Sequence, residues 1–127
     1  MRFYIAGGAE KAELIAQINE LLARNGHIIT SPAMPDGAAG DPDMLFETAY
    51  KKAFSVSDAD FVLLMLPGNS ETHVELGLAL ATRNNKRIAL WSETGAEYNE
   101  PNAFYHHTAV ERLCCTFDEL KEMLLAL

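Results

Sequence analysis

The run Phe61-Val62-Leu63-Leu64-Met65-Leu66 constrains the fold of this chain more than any other segment. Six consecutive apolar residues leave no polar face, so a strand formed here must be covered on both sides. Strands of that kind occupy the centre of parallel sheets, which carry helices on both faces. We therefore expect a central parallel β-strand at these residues and an α/β fold around it.

Shorter apolar runs predict four further strands, and amphipathic stretches between the strands predict helices. The predicted strands cover 3–6, 27–30, 87–91 and 112–116, and the predicted helices cover 10–25, 43–57, 72–84 and the residues after the capping box Thr116-Phe117-Asp118-Glu119. Alternation of strand and helix implies right-handed crossovers and a parallel sheet. We expect a flavodoxin- or Rossmann-like three-layer sandwich, with a five-stranded parallel sheet in the order 2-1-3-4-5.

Length and charge restrict the class of protein. A chain of 127 residues is typical of one domain, here residues 1–127. Ten Lys and Arg against 18 Asp and Glu give a net charge of −8, which repels nucleic acids. No apolar run is long enough for a signal peptide or a membrane span. The adjacent pair Cys114-Cys115 indicates reduced cysteines buried in a strand. Together, the cysteines and the lack of a signal peptide or membrane span predict a cytoplasmic protein that binds no membrane.

The segment from Ser31 to Pro42 is predicted to be a loop, because it holds three prolines and two glycines. Long loops over a sheet edge often act as lids, so we expect a lid here.

A ligand site is predicted where the strand order reverses, beyond the carboxyl ends of strands one and three. The loops at that point are Gly7-Gly8 and Pro67-Gly68-Asn69-Ser70. Both contain glycine and both lead into helix N-termini, whose free amides bind anions or polar sugars. Gly7, Gly8, Gly68, Asn69 and Ser70 are therefore the predicted substrate-binding residues.

Motifs for several other ligands are missing from the sequence. There is no Gly-x-Gly-x-x-Gly, no Gly-x-x-x-x-Gly-Lys-Ser/Thr and no His or Cys spacing typical of zinc. The sequence implies no metal and no organic cofactor.

Glu75 and Tyr4 each admit two interpretations. Glu75 could be a nucleophile beside the crevice, kept ionised by the helix dipole, or it could complete a capping box with Thr72. Tyr4 could donate a hydrogen bond to a catalytic carboxylate, or it could be an ordinary half-buried strand residue. Spacing alone leaves both pairs of alternatives open.

Three segments resemble the nucleoside 2-deoxyribosyltransferase superfamily. They are Phe3-Tyr4-Ile5-Ala6-Gly7-Gly8, Ala59-Asp60-Phe61-Val62, and Thr72-His73-Val74-Glu75-Leu76-Gly77-Leu78-Ala79 followed by Lys86-Arg87-Ile88. The resemblance extends over nearly the whole chain, although the loops match poorly. Members of that superfamily have this five-stranded fold and act on the N-glycosidic bond of deoxyribonucleosides or their 5′-monophosphates.

The resemblance implies roles for individual residues. Glu75 matches the glutamate that attacks the anomeric carbon to form a glycosyl-enzyme, which is then passed to another base or to water. Tyr4 matches the tyrosine that orients this glutamate. A partner subunit often completes the pocket in relatives, so a homodimer or higher homo-oligomer is expected, and Asn102 is a candidate donor for that purpose.

Two departures from the family pattern leave the reaction type open. Asn69 stands where the transferases carry an aspartate, and the nucleotide hydrolase branch has a serine there. A second family aspartate falls near Lys52, while Asp58 and Asp60 lie out of register. The expected function is cleavage or transfer at the N-glycosidic bond of a nucleoside or its 5′-monophosphate.

Three alternatives remain at this stage. Pro67-Gly68, Thr72 and Glu75 also resemble the motif of the lysine-decarboxylase-like nucleotide phosphoribohydrolases, although that motif has more glycines. A non-catalytic nucleotide-binding module on the same fold would tolerate the missing aspartates. In the third alternative Glu75 is only a helix cap and the domain serves in an assembly.

Overall fold

The computed structural model describes residues 1–32 and 41–127. In this part of the chain the strands are β1 (Arg2–Gly7), β2 (Ile28–Ile29), β3 (Phe61–Met65), β4 (Arg87–Ser92) and β5 (Val110–Cys114). The α-helices are α1 (Ala12–Arg24), α2 (Pro42–Asp58), α3 (Ser70–Ala81) and α4 (Phe117–Leu125). Short 3₁₀ helices cover Ala9–Lys11, Ala96–Asn99 and Ala103–His106.

The strands form one parallel sheet in the order β2-β1-β3-β4-β5, which confirms the predicted topology. All five residues of β3 are fully buried, as its unbroken apolar run predicts. It pairs with β1 on one side and β4 on the other, so it is the central strand. The strand order reverses between β1 and β3.

Two apolar layers cover the sheet and make the three-layer sandwich. On one face, Ile18 and Leu22 of α1 and Leu120 and Leu124 of α4 pack with strand residues such as Phe3. The other face packs against α2 and α3, and its buried residues are Tyr4, Val56, Ala59, Val62, Leu64, Leu66, Leu76, Ala79, Leu80, Ile88, Leu90, Tyr105 and Val110. Because side chains alternate along β1, Tyr4 faces α3 while Phe3 faces α1.

Several predicted boundaries differ from those observed. The 3₁₀ turn Ala9–Lys11 precedes α1, which begins only at Ala12. The helix α3 begins at Ser70, two residues earlier than predicted, because Asn69 and not Thr72 caps it. The strand β5 ends at Cys114, since Thr116 is already the N-cap of α4 in the predicted capping box with Glu119.

The prediction that both cysteines are buried is wrong. Cys114 is exposed and Cys115 is half-buried, and both are free thiols. The reason is that β5 lies at the edge of the sheet, where most of its residues are incompletely covered.

The predicted lid falls mostly on residues 33–40, which lie outside the described residues. Asp41 caps α2, because its side chain accepts hydrogen bonds from the backbone N–H groups of Asp43 and Met44. Among the residues that the structure describes, no helix is long and apolar enough to cross a membrane.

Candidate active site

A small cavity of about 130 Å³ opens at the carboxyl ends of β1 and β3, where the strand order reverses. It is lined by Tyr4, Ile5, Ala6, Gly7, Ile15, Ser31, Pro32, Lys52, Asn69, Glu71 and Glu75. Four of the residues predicted from the sequence therefore meet here, namely Tyr4, Gly7, Asn69 and Glu75. This is the position at which open parallel sheets bind their ligands.

Glu75 is a buried carboxylate on the wall of this cavity. Its side chain is on α3, and the residue is only 4% exposed. The phenol of Tyr4 donates a hydrogen bond to Glu75 Oε2. No donor among the described residues contacts Oε1, so that oxygen is available to a ligand.

The capping role considered for Glu75 is wrong. The N-terminus of α3 is closed by a capping box between Asn69 and Thr72, in which the side-chain oxygen of each residue accepts a hydrogen bond from the backbone N–H of the other. Glu75 is the sixth residue of the helix and makes its hydrogen bond to Tyr4 instead. A buried carboxylate with one partner is unusual for a structural residue and typical of functional sites.

Burial raises the pKa of the Glu75 carboxyl above its ordinary value, and the negative charge of Glu71 raises it further. The hydrogen bond from Tyr4 and the positive charge of Lys52 oppose this rise. The expectation that the helix dipole keeps Glu75 ionised does not hold, because the dipole acts mainly within the first turn and Glu75 lies beyond it. Tyr4 and Lys52 are the groups that favour the charged form.

Tyr4 remains a hydrogen-bond donor under all ordinary conditions. Burial raises the pKa of its phenol strongly, and the neighbouring Glu75 carboxylate raises it further. The phenol therefore stays protonated and holds Oε2 of Glu75 in one orientation. It serves as a positioning group and cannot act as a base near neutral pH.

The Oδ1 atom of Asn69 accepts hydrogen bonds within the protein, whereas its Nδ2 group is available to a ligand. Its Oδ1 accepts hydrogen bonds from the backbone N–H and the hydroxyl of Thr72, each at 3.0 Å. This fixes the side chain, and the Nδ2 donors have no partner among the described residues. Because Asn69 lines the cavity, it presents a neutral donor there.

The glycines allow close approaches between backbone segments around the cavity. A Cβ at Gly7 would lie 2.6 Å from the carbonyl oxygen of Met65, and a Cβ at Gly8 would lie 2.8 Å from that of Pro67. A Cβ at Gly68 would lie 2.7 Å from the Thr72 side chain. Gly7 lines the cavity, whereas Gly8 and Gly68 serve the packing behind it.

Besides Gly8 and Gly68, two further predicted binding residues do not line this cavity. Ser70 is exposed as the first residue of α3. Asn102 caps a 3₁₀ helix by accepting a hydrogen bond from the Phe104 N–H, and it lines a separate apolar cavity with His73 and Val74 on another face of α3. Within one chain, Asn102 therefore does not contribute to the site around Glu75.

Sequence reasoning missed the polar residues that complete the wall. Lys52 of α2 forms an ion pair with Glu71 of α3 at 3.2 Å, and both line the cavity. Ser31 also lines it, and its buried Oγ has no hydrogen-bond partner among the described residues. These residues come from three separate elements, and no local spacing in the sequence relates them.

Asp58 and Asp60 are the aspartates closest in sequence to the position of the second family aspartate. Both lie at the amino ends of the strands, at the opposite end of the sheet from the cavity. Asp58 forms an ion pair with Arg2, and Asp60 accepts a hydrogen bond of 2.9 Å from the backbone N–H of Arg2. Asp58 is the last residue of α2 and Asp60 directly precedes β3, so both lie at the amino end of β3 and neither lines the cavity. Within 1–32 and 41–127, no group of three His, Cys, Asp or Glu side chains is arranged to hold a metal ion.

The sequence matches no protein-family model and no curated protein. Its fold is similar to several solved structures. The CMP N-glycosidase BcmB of Clostridium botulinum has a TM-score of 0.69 and 19% identity, with 100% of both chains covered. The 2-deoxyribosyltransferase of Bacillus psychrosaccharolyticus has a TM-score of 0.73 and 18% identity, over 98% of this chain and 96% of that one.

A conserved protein from Enterococcus faecalis V583 is also similar, with a TM-score of 0.57 and 17% identity over 96% of this chain and 95% of that one. At these levels of identity the comparisons show a shared fold along the full length of the chain. The five-stranded fold of this chain is therefore one that solved structures share.

Proposed function

We propose that this protein is a member of the nucleoside 2-deoxyribosyltransferase superfamily that cleaves or transfers the N-glycosidic bond of a nucleoside or its 5′-monophosphate. The observation that carries the proposal is the buried Glu75 carboxylate, which is oriented by Tyr4 and lies in the cavity where the strand order reverses. Two structures with the same fold bear the names of an N-glycosidase and a deoxyribosyltransferase, which supports this class of reaction.

Glu75 acts as the nucleophile in two displacements. Its free Oε1 attacks the anomeric carbon, and the bond from that carbon to the base nitrogen breaks. The base leaves with the bonding electron pair and takes a proton from solvent. Water or the nitrogen of a second base then attacks the glycosyl ester, gives up its proton, and regenerates the Glu75 carboxylate.

Tyr4 and Asn69 prepare the site for the first displacement. Tyr4 fixes the carboxylate through Oε2 and leaves Oε1 toward the sugar. Asn69 offers its Nδ2 donors to a sugar hydroxyl or a phosphate oxygen. The amide of Asn69 cannot give a proton to the leaving base, as a carboxylic acid at this position could. The site therefore favours a substrate whose base departs without that proton donor.

The exposed aromatic face of α2 supports assembly into a homodimer. Phe46, Tyr50 and Phe54 follow one another at intervals of four residues and are 75%, 74% and 67% exposed. With roughly 200 Å² per aromatic side chain, they expose about 400 Å², comparable with the largest patch of a typical monomer. Two copies of α2 packed antiparallel place each Phe46 against Phe54 of the other copy, so the stripe is self-complementary.

The oligomeric state can be measured by light scattering coupled to size exclusion. The wild type is expected as a dimer or a larger even-numbered oligomer, and Phe54→Glu as a monomer. Leu125→Glu, at an exposed apolar position on α4, is the matched control and is expected to keep the wild-type mass. A monomeric wild type, or equal dissociation of both variants, would contradict this assignment of the interface.

The activity is tested by incubating the protein with deoxynucleosides, ribonucleosides and their 5′-monophosphates and measuring free base by chromatography. A second free base added to the mixture distinguishes transfer from hydrolysis. At least one substrate is expected to yield free base with the wild type and none with Glu75→Gln. Glu71→Gln, which removes a neighbouring carboxylate of the same cavity, is the matched control and keeps activity.

Two outcomes would overturn the proposal. Base release that persists in Glu75→Gln excludes Glu75 as the nucleophile. Thermal stabilisation of the wild type by nucleotides without any turnover identifies a non-catalytic binding module instead.

A further inference from the structure

The cavity around Glu75 contains a cation, Lys52, whose ion pair is with Glu71 and not with the proposed nucleophile. Lys52 lines the cavity with Glu71 and Glu75, and its side chain is only 19% exposed. Long cationic side chains normally keep their ammonium group in water. A mostly covered lysine at a ligand cavity therefore needs a reason beyond solubility.

The two side chains of the Lys52–Glu71 ion pair differ in their exposure to solvent. Its partner Glu71 is 66% exposed, at the first turn of α3, so Glu71 can turn into solvent without loss of hydration. Exposed carboxylates gain little stability from such ion pairs. A ligand with a stronger anionic group can therefore displace Glu71 from Lys52 at little cost.

The other charges of the cavity explain which ligand needs this lysine. Glu71 and Glu75 are both carboxylates, and the whole chain carries a net charge of −8. Without Lys52 the cavity would repel any anion. Neutral donors are also present, because the Nδ2 of Asn69 and the buried Oγ of Ser31 have no partners among the described residues. A cation beside two neutral donors is a suitable set for a phosphate.

We propose that Lys52 makes the site selective for a nucleoside 5′-monophosphate over the free nucleoside, by exchanging its ion pair with Glu71 for one with the phosphate. The inference rests on the proposed glycosidic function and specifies its substrate class. Asn69 and Ser31 donate hydrogen bonds to the same phosphate. Lys52 determines specificity here, and the effect of its charge on the ionisation of Glu75 does not alter rates on the plateau of the pH profile, where Glu75 is already ionised.

The test compares kcat/KM for a deoxynucleoside 5′-monophosphate and for the same deoxynucleoside, on the plateau of the pH profile. Lys52→Met is expected to lower kcat/KM for the monophosphate about 10- to 100-fold and to leave the nucleoside within about threefold, as expected for loss of one charge-assisted contact. Lys52→Arg keeps the cation and is expected to retain most of the preference.

Two further variants separate this contact from general effects of charge. Lys51→Met removes the neighbouring exposed lysine, which pairs with Glu47, and is expected to change neither substrate. Glu71→Gln frees Lys52 and is expected to raise kcat/KM for the monophosphate about two- to fivefold. Equal losses for both substrates in Lys52→Met, or a loss of the same size in Lys51→Met, would overturn the proposal.

Binding of 2-deoxyribose 5-phosphate, measured by calorimetry, makes the two proposals separately testable. The wild type is expected to bind it at least tenfold more tightly than 2-deoxyribose, and Lys52→Met to lose that difference. A wild type that shows this difference but releases no base from any substrate overturns the glycosidic function and keeps the phosphate preference. A wild type that releases base but binds both sugars equally overturns the phosphate preference alone.

Discussion

Charged groups lie both at the amino edge of the sheet, where its strands begin, and at the carboxyl edge, where its strands end. They are partnered differently at the two edges. At the amino edge, Arg2 pairs with Asp58, and Lys86 Nζ donates to the carbonyl oxygens of Val56, Ser57 and Ala59, each at 2.8 Å. At the carboxyl edge, the Glu75 carboxylate is buried with one hydrogen-bond donor among the described residues. Fully partnered charges fasten elements together, whereas a buried and incompletely partnered carboxylate is typical of a site for chemistry.

This difference predicts where substitutions affect stability and where they affect activity. Changes at the amino edge should destabilise the protein and leave the activity of each folded molecule unchanged. Changes at the carboxyl edge should reduce activity with little loss of stability, or even a gain, because functional sites often retain groups that are unfavourable for folding.

The largest effect is expected for Glu75→Gln, which keeps the shape of the side chain and removes its charge. Activity should fall by at least about 1000-fold, since an amide cannot form the glycosyl ester. Initial rates of base release by chromatography measure this loss. A fall of less than tenfold would show that Glu75 is not the nucleophile.

The same variant should be more stable than the wild type at neutral pH. Burial raises the folded-state pKa of Glu75, so the stability that its protonated form contributes is present at low pH and is lost as the pH rises through that pKa. A neutral glutamine removes this loss, and thermal denaturation at pH 7 should show a higher midpoint than the wild type. A lower midpoint would place Glu75 with the stabilising residues of the amino edge.

Tyr4→Phe should lower kcat about 10- to 100-fold, because the Glu75 carboxylate loses the donor that orients it. The hydrogen bond from Tyr4 lowers the pKa of Glu75, so its removal should move the acid limb of the pH–rate profile to higher pH. A full pH profile measures both effects. An unchanged acid limb would show that Tyr4 serves packing only.

Lys86→Met should destabilise the protein by about 1–3 kcal/mol, because three carbonyl oxygens at the end of α2 lose a charged donor. Urea denaturation measures this change. The exposed ion pair of Arg24 with Glu20 provides the control, and Arg24→Met should cost less than about 0.5 kcal/mol. Reduced kcat in folded Lys86→Met would contradict the separation of the two edges.

Asn69→Ala should destabilise the protein less than Lys86→Met does, by about 1 kcal/mol, because it removes the cap of α3. Asn69→Asp retains an acceptor for the Thr72 N–H and should cost less. If both variants lose the same stability, the capping interaction is not what Asn69 contributes. Comparison of their urea midpoints distinguishes these results.

The sheet order and the place of the site could be predicted because they depend on local patterns. The buried run of β3 and the alternation of strands with helices determine the topology. The reversal between β1 and β3 then brings Tyr4 next to Glu75, although 71 residues separate them. The pairing of these two residues followed from the family resemblance, since spacing left both roles open.

The rest of the site depends on tertiary packing that the sequence does not encode locally. Lys52 reaches the cavity because of how α2 lies against α3, and its ion pair with Glu71 spans 19 residues. Thr72 and Asn69 are both good N-cap residues, and only the backbone conformation at Asn69 decides between them. Asn102 lies in an irregular connection between β4 and β5, where no local pattern relates it to the cavity around Glu75.

The stereochemistry of transfer to methanol tests most directly whether Glu75 forms a covalent intermediate. Two displacements at the anomeric carbon retain its configuration. Proton NMR of the methyl glycoside formed from a β-nucleotide should therefore show the β-anomer as the initial product, and Glu75→Gln should form none. The α-anomer as the initial product would contradict the nucleophilic role of Glu75.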